Sequence, residues 1–341
     1  MNLEKVVDQA PLNVRVMFGG DVMLGRIVKE YILLHGPQYP LGPVAGLMRA
    51  ADLAIVNLEC AITSSDRIWP GAPKAFYFGA PPQAIDSLLD AGVDMISLAN
   101  NHALDYGIDG LQDTLETLRR HGIVQAGSGE NLAQARMPAL VERAGLRFGM
   151  AAFCDHQEDF AAQEHAPGMA YLDLADEPAT LAAWREALES LRHAHVDWPI
   201  LSLHWGPNMV WRPSARFRRL AHAAIDMGWK ILFGHSAHVF QGIELYRGCP
   251  IIYAAGDLVD DYYVDPEFAN DHQLLIELEL GRADVRRIFL HPVFIEDCQV
   301  RPATGSHFTR IFEAMDSLCR EMGTVVRKEA DNAIRVEMKN G

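Results

Sequence analysis

Short apolar runs recur along the chain, and each stops at a polar residue. The runs occupy residues 14–18, 53–56, 95–98, 200–203 and 231–233. Asp21 follows the first, Glu59 the second, Asn100, Asn101 and His102 the third, and His204 the fourth. The fifth leads into Gly-His-Ser-Ala-His, which carries His235 and His238. Continuous apolar runs of this length predict buried strands. In open α/β sheets, ligands bind just beyond the carboxyl ends of the strands. The spacing therefore predicts one polar site built from several strand ends.

Between these runs the pattern changes to a helical period, which argues for βαβ units. Residues 81–92 begin on proline, place Ile85, Leu88 and Leu89 on one face and end on Gly92. Residues 107–122 repeat the scheme with Leu111, Leu115 and Leu118, and with Arg119, Arg120 and His121 in the last turn. Further on, a strand is expected at 146–153, a loop at 156–168 and a polar helix at 177–194. Ser214 is placed to cap a helix running to Gly228. Strands are expected at 251–255, 274–280 and 287–294, then an amphipathic helix from about 305 and a charged, fraying end. With no internal repeat or linker, the expectation is a single domain over residues 1–341, its core at about 14–300.

Composition narrows the class. The 341 residues are 49% hydrophobic and 22% charged, as in a globular protein with a substantial core. A formal net charge of −15 disfavours nucleic acid and anionic membranes as partners. The five cysteines are widely spaced without a Cys-x-x-Cys pair, which argues against a disulfide scaffold or a thiolate zinc site and for a reducing compartment. Residues 1–9 lack the basic start and apolar core of a leader, and no stretch of about 18 apolar residues predicts a membrane span. The expected location is cytoplasmic.

The strand-end residues form a donor set of carboxylates (Asp21, Glu59), a carboxamide (Asn101) and imidazoles (His204, His235, His238). Mixed oxygen and nitrogen donors suit a divalent Mn, Fe or Zn ion, and so metal-assisted acid-base or hydrolytic chemistry. Asp21, His102 and His204 are the candidate catalytic groups. Each residue also has a plain structural reading. Asp21 follows glycine, as in an ordinary turn, and Asn-Asn-His can cap the helix that begins near Gly107. His102 otherwise transfers a proton, since imidazole titrates near neutrality. His204-Trp205-Gly206 is either a packed corner or a ligand. Lys74, Trp205, Arg212, Asp257 and Asp261 are candidate substrate contacts, although exposed loop cations often do nothing specific.

Taken together, the motifs resemble a known family. They are Gly-Gly-Asp-Val-Met-Leu-Gly-Arg (19–26), Asn-Leu-Glu (57–59), Leu-Ala-Asn-Asn-His-Ala-Leu-Asp-Tyr-Gly (98–107), His-Trp-Gly (204–206) and Gly-His-Ser-Ala-His-Val-Phe-Gln (234–241). They resemble the CapA family of poly-γ-glutamate capsule biosynthesis proteins, related to the calcineurin-like metallophosphoesterases. The resemblance implies a four-layer α/β/β/α sandwich of the metallo-dependent phosphatase type. It also implies one metal position at Asp21, Glu59 and His238 and another at Glu59, Asn101, His204 and His235, with His102 near the leaving group.

Several positions depart from the pattern. Met23 stands where the phosphoesterases have histidine, and a thioether is a poor ligand for such ions, so one ion, or none, is expected. Gly256-Asp257-Leu258 replaces Gly-Asn-Phe, residues 207–211 form a more apolar wall, and the membrane anchor usual in capsule proteins is not expected here. The expected function is metal-assisted or Asp/His acid-base chemistry on a peptide or poly-γ-glutamate-like substrate. The alternatives are an α-carbon epimerase of ribosomally made, lasso-type peptides, a metal-dependent phosphoesterase, and a non-catalytic accessory subunit of capsule polymer synthesis.

Overall fold

The apolar runs pair into two sheets. A computed structural model describes residues 12–338; residues 1–9, where no leader is expected, lie outside them. In the larger, ten-stranded sheet the central strand Val14–Val22 pairs in parallel with Leu53–Leu58, which is followed outward by Met95–Ser97 and Val124–Ala126. On its other side His272–Leu280 and Val285–Glu296 run antiparallel. The second sheet has six strands, with Trp198–His204 between Leu146–Cys154 and Ile231–His235, all parallel.

Alternation along the strands sets the layers. Trp198, Ile200, Ile231 and Phe233 face the core between the sheets, where Phe233 meets Phe18 with ring centroids 5.1 Å apart. Leu201, Leu203 and Leu232 face the opposite way, into a second cluster with Trp184 and Leu188 of the helix Glu177–His193 and Leu220 and Ile225 of the helix Ala215–Met227. The helices Arg26–His35, Gly42–Arg49, Ile85–Asp90 and Gly107–Arg120 bury Val28, Val44, Leu88 and Leu111 with the larger sheet. The result is an α/β/β/α sandwich. Among the described residues, no helix is long and apolar enough to cross a membrane.

The expected helices are present, and the Ser214 side chain accepts a hydrogen bond from the Phe217 amide as its cap. Two local expectations are corrected. The strand expected at 251–255 stops at Ile252, because the chain then crosses to the larger sheet, where Asp257–Val259 pairs in parallel with Val14–Val22. Asp257 is thus a buried strand residue and not part of a solvated loop. Among the described residues the charged tail does not fray: Val326–Lys328 and Ile334–Val336 form a hairpin that extends the larger sheet, anchored by buried Val326, Ile334 and Val336.

Candidate functional site

The strand period that points Ile200 and Phe233 inward also points His204 and His235 into the gap between the sheets. Parallel register makes the two histidines neighbours, with their Nδ1 atoms 2.9 Å apart and His235 Nε2 2.9 Å from Ser202 Oγ. Asp21 arrives from the other sheet, its Oδ1 3.5 Å from His235 Nδ1. Its carboxylate accepts hydrogen bonds from Asn57 Nδ2 at 2.7 Å and from the Ser236 amide at 3.0 Å. Ser236 adopts a φ of 98° to present that amide, a local strain of the kind found at ligand sites. Asn57 is fixed in turn by Asn100, which also donates to the Leu58 carbonyl.

Glycine makes the approach of these loops possible. A Cβ on Gly20 would lie 1.8 Å from the Gly256 carbonyl oxygen, and one on Gly234 would lie 2.0 Å from the Tyr253 carbonyl oxygen. These contacts bring Asp21 alongside Asp257, with the Asp21 amide donating to Gly256 at 2.9 Å.

Two groups of metal-competent side chains result. Asp21, His204 and His235 have ligand atoms within 4.8 Å of one another, as do Asp21, Glu59, His238 and Asp257. Glu59 Oε1 lies 3.7 Å from His204 Nε2, and His238 Nδ1 lies 3.0 Å from Asp257 Oδ1. Both Glu59 oxygens, Asn101 Oδ1 and Asp257 Oδ2 are buried without a hydrogen-bond partner. Leaving carboxylates desolvated and unpaired costs several kcal/mol each. Burial, followed by the charge of Asp257, pushes Asp21 up to about 7. Burial and the Asp21 charge raise Glu59 well above the usual range. A divalent cation would satisfy the orphaned oxygens and relieve this repulsion, so the residues fit a metal.

Two of the imidazoles are suited to ligation as they stand, and the third would have to release a proton. Burial lowers His235 to about 3, and burial with the neighbouring His235 lowers His204, so both are neutral near pH 7. Burial would also lower His238, but Asp257, Glu59 and Asp21 outweigh it and hold the imidazole at about 10. Met23 contributes no open ligand: it is packed in the core, and its sulfur accepts the Gly25 amide at 3.1 Å.

His102 sits apart from both groups, on the floor of a cavity of about 740 Å3 that Asn101 and His238 also line. Its ring stacks on Phe78 with a centroid distance of 3.7 Å, and its Nδ1 lies 2.5 Å from Asp105 Oδ2. Burial outweighs the pull of Asp105 and lowers His102 to about 4, so the imidazole is neutral near pH 7.

The candidate substrate contacts separate. Lys74 lines the cavity, but its ammonium donates to Asp105 Oδ1 and to the Asn101 carbonyl. Trp205 is packed in the second core cluster with its indole N–H on the Tyr253 carbonyl, and Arg212 pairs with Glu321 on the surface. Asp261 accepts the Ile27 amide and pairs with Arg26, and Asp257 joins the carboxylate group. Other residues of the site escape a motif reading. Asp105 orients His102 from three positions away, a spacing visible in the sequence. Asp155 and His156 follow the Leu146–Cys154 strand beside His204, the last residue of its own strand, with the His156 ring 5.7 Å from His204. Tyr262 packs against His238, and nothing in its local sequence announces this.

The residues that build this site fall within the part of the chain shared with known proteins. A family model described as bacterial capsule synthesis protein PGA_cap matches residues 15–262. A probable polyglutamine synthesis accessory protein of Mycobacterium tuberculosis is 29% identical over 372 residues, covering 95% of this chain and 96% of the relative. The PGA biosynthesis protein CapA of Bacillus subtilis is 30% identical over 246 residues, covering 72% of this chain and 62% of its own. The capsule biosynthesis protein CapA of Bacillus anthracis is 29% identical over 244 residues, covering 71% and 58%. With the match extending over most of the chain, from the first central strand through Asp257 and Tyr262, this protein belongs to the PGA_cap family of bacterial capsule synthesis proteins.

Proposed function

We propose that the protein is an enzyme that uses a divalent ion and His102 to act at an amide-bearing centre of a peptide or polyglutamate-like substrate. The reading rests on one observation: the buried, unpartnered oxygens of Glu59, Asn101 and Asp257 gathered beside neutral His204 and His235. Asp21, Glu59, His238 and Asp257, with His204, His235 and Asn101 beside them, would hold the ion. A bound Mn, Fe or Zn ion supplies Lewis acidity toward a carbonyl oxygen.

The chain's own groups do the rest. His102 accepts or returns a proton at Nε2 while Asp105 fixes Nδ1, the division of labour that general acid-base catalysis needs. Phe78 holds the ring in plane beside the cavity. An amide centre is favoured over a phosphate ester because both lysine and arginine side chains that line the cavity, Lys74 and Arg26, are already paired with carboxylates. Beyond the ion and His238, these pairs leave a phosphate dianion no further lysine or arginine in the cavity lining, whereas an amide needs none.

The test is turnover of candidate peptides in deuterated water by metal-loaded protein. New termini identify hydrolysis, and α-deuteration with an intact backbone identifies epimerisation; either fits proton transfer at an amide centre. If Asp21, Glu59 and His235 can each become alanine without loss of cellular phenotype, the accessory, non-catalytic reading replaces this one.

A further inference from the structure

The cavity has an apolar wall and no uncommitted lysine or arginine partner for a polyanion. Phe76, Phe78, Met209, Tyr262 and Tyr263 line it above the floor of Asn101, His102 and His238. Phe76 and Tyr263 stand at the rim, 53% and 82% exposed, although large aromatics normally seek burial. The lysine and the arginine of the cavity are already paired. Lys74 is 9% exposed and held by Asp105, with its ammonium 4.9 Å from the Phe160 ring. The Arg26 guanidinium lies 3.3 Å from Asp261 and 4.6 Å from the Phe76 ring. Behind the floor stand Asp21, Glu59 and Asp257, all buried.

We infer that the cavity selects an uncharged peptide segment carrying an aromatic or large apolar side chain, and rejects a run of carboxylates. This inference rests on the reading of the cavity as a site that acts on amides, and it narrows the substrate class. The side chain packs among Phe76, Phe78, Met209, Tyr262 and Tyr263, which sets the neighbouring backbone amide over His102. A ligand with a carboxylate on every residue gains no ion pair from Lys74 or Arg26, which Asp105 and Asp261 already hold.

Calorimetric titration of the full-length protein with three probes tests this: acetyl-Ala-Phe-Ala-amide, acetyl-Ala-Ala-Ala-amide and γ-linked tetraglutamate. The aromatic peptide should bind roughly tenfold more tightly than the alanine peptide, and tetraglutamate most weakly. Phe76→Ala and Tyr263→Ala, both at exposed positions, should each remove most of the aromatic preference while leaving metal content unchanged. Tetraglutamate binding as tightly as the aromatic peptide, or an aromatic preference that survives both substitutions, overturns the inference. Metal content and turnover of the wild type, measured beside the peptide ranking, separate it from the functional reading. Metal and turnover absent from wild type with the peptide ranking intact defeats only the catalytic proposal; metal and turnover present without the ranking defeats only this one.

Discussion

His102 and Asp105 are joined through the imidazole Nδ1 and a carboxylate oxygen 2.5 Å apart, and the second oxygen of Asp105 faces the ammonium of Lys74. One buried carboxylate thus orients the proton-transfer group and neutralises a buried cation. The two roles can be separated by mutation. Asp105→Asn should lower kcat about 100-fold through misorientation of His102. It should also destabilise the fold by about 3 kcal/mol, because Lys74 loses its counter-ion. The double variant Lys74→Met/Asp105→Asn should recover most of the stability in chemical denaturation but none of the activity. Recovery of both would show that Asp105 matters only to the fold.

The close approach at Gly20 gives a second prediction. A methyl group there would lie 1.8 Å from the Gly256 carbonyl oxygen, a contact that forces the two strands apart. Gly20→Ala should cost about 3 kcal/mol. Because the same strands carry Asp21 and Asp257, it should also weaken metal binding in the fraction that remains folded. A titration showing unchanged metal affinity would remove Gly20 from the account of the site.

Acid stability provides a third test, away from the site. Burial alone would raise Glu277, but the hydrogen bond from His291 and the charges of His291, Arg15 and Arg287 outweigh it and hold the carboxyl below its usual 4.5. A carboxyl lowered in the folded state contributes stability that is fully present above its unfolded pKa and is lost as pH falls through the folded one. The stability difference between wild type and Glu277→Gln should therefore be present at about pH 5 and shrink on further acidification. Denaturation curves across that range measure it; a difference that grows on acidification would reverse the assigned sign.

Much of the site is legible in the sequence because a strand that ends an apolar run on a polar residue states both its burial and its exit point. Asp21, Glu59, His204 and His235 are readable in this way, and in the structure they meet between the sheets. Asp257 is not, since its environment depends on the chain leaving Ile252 and crossing to the other sheet, a long-range event with no local signature. The C-terminal hairpin is similarly hidden: charges at Arg327, Lys328 and Arg335 mask the alternation of Val326, Ile334 and Val336. In the sequence, Trp205 stands between a histidine and a glycine and Arg212 is a cation on a loop, so both read as substrate contacts. Only the fold shows that Tyr253 and Glu321 already occupy them.

The most direct test concerns the ion. Elemental analysis of full-length protein purified without added metal, followed by calorimetric titration with Mn and Zn, counts equivalents bound. The predicted result is one equivalent, lost in Glu59→Gln, with unfolding shifted to higher temperature when the ion is in excess. Protein that binds neither metal, or that binds it equally well with Gln at position 59, would contradict a metal role for the buried Asp21, Glu59, His238 and Asp257 group.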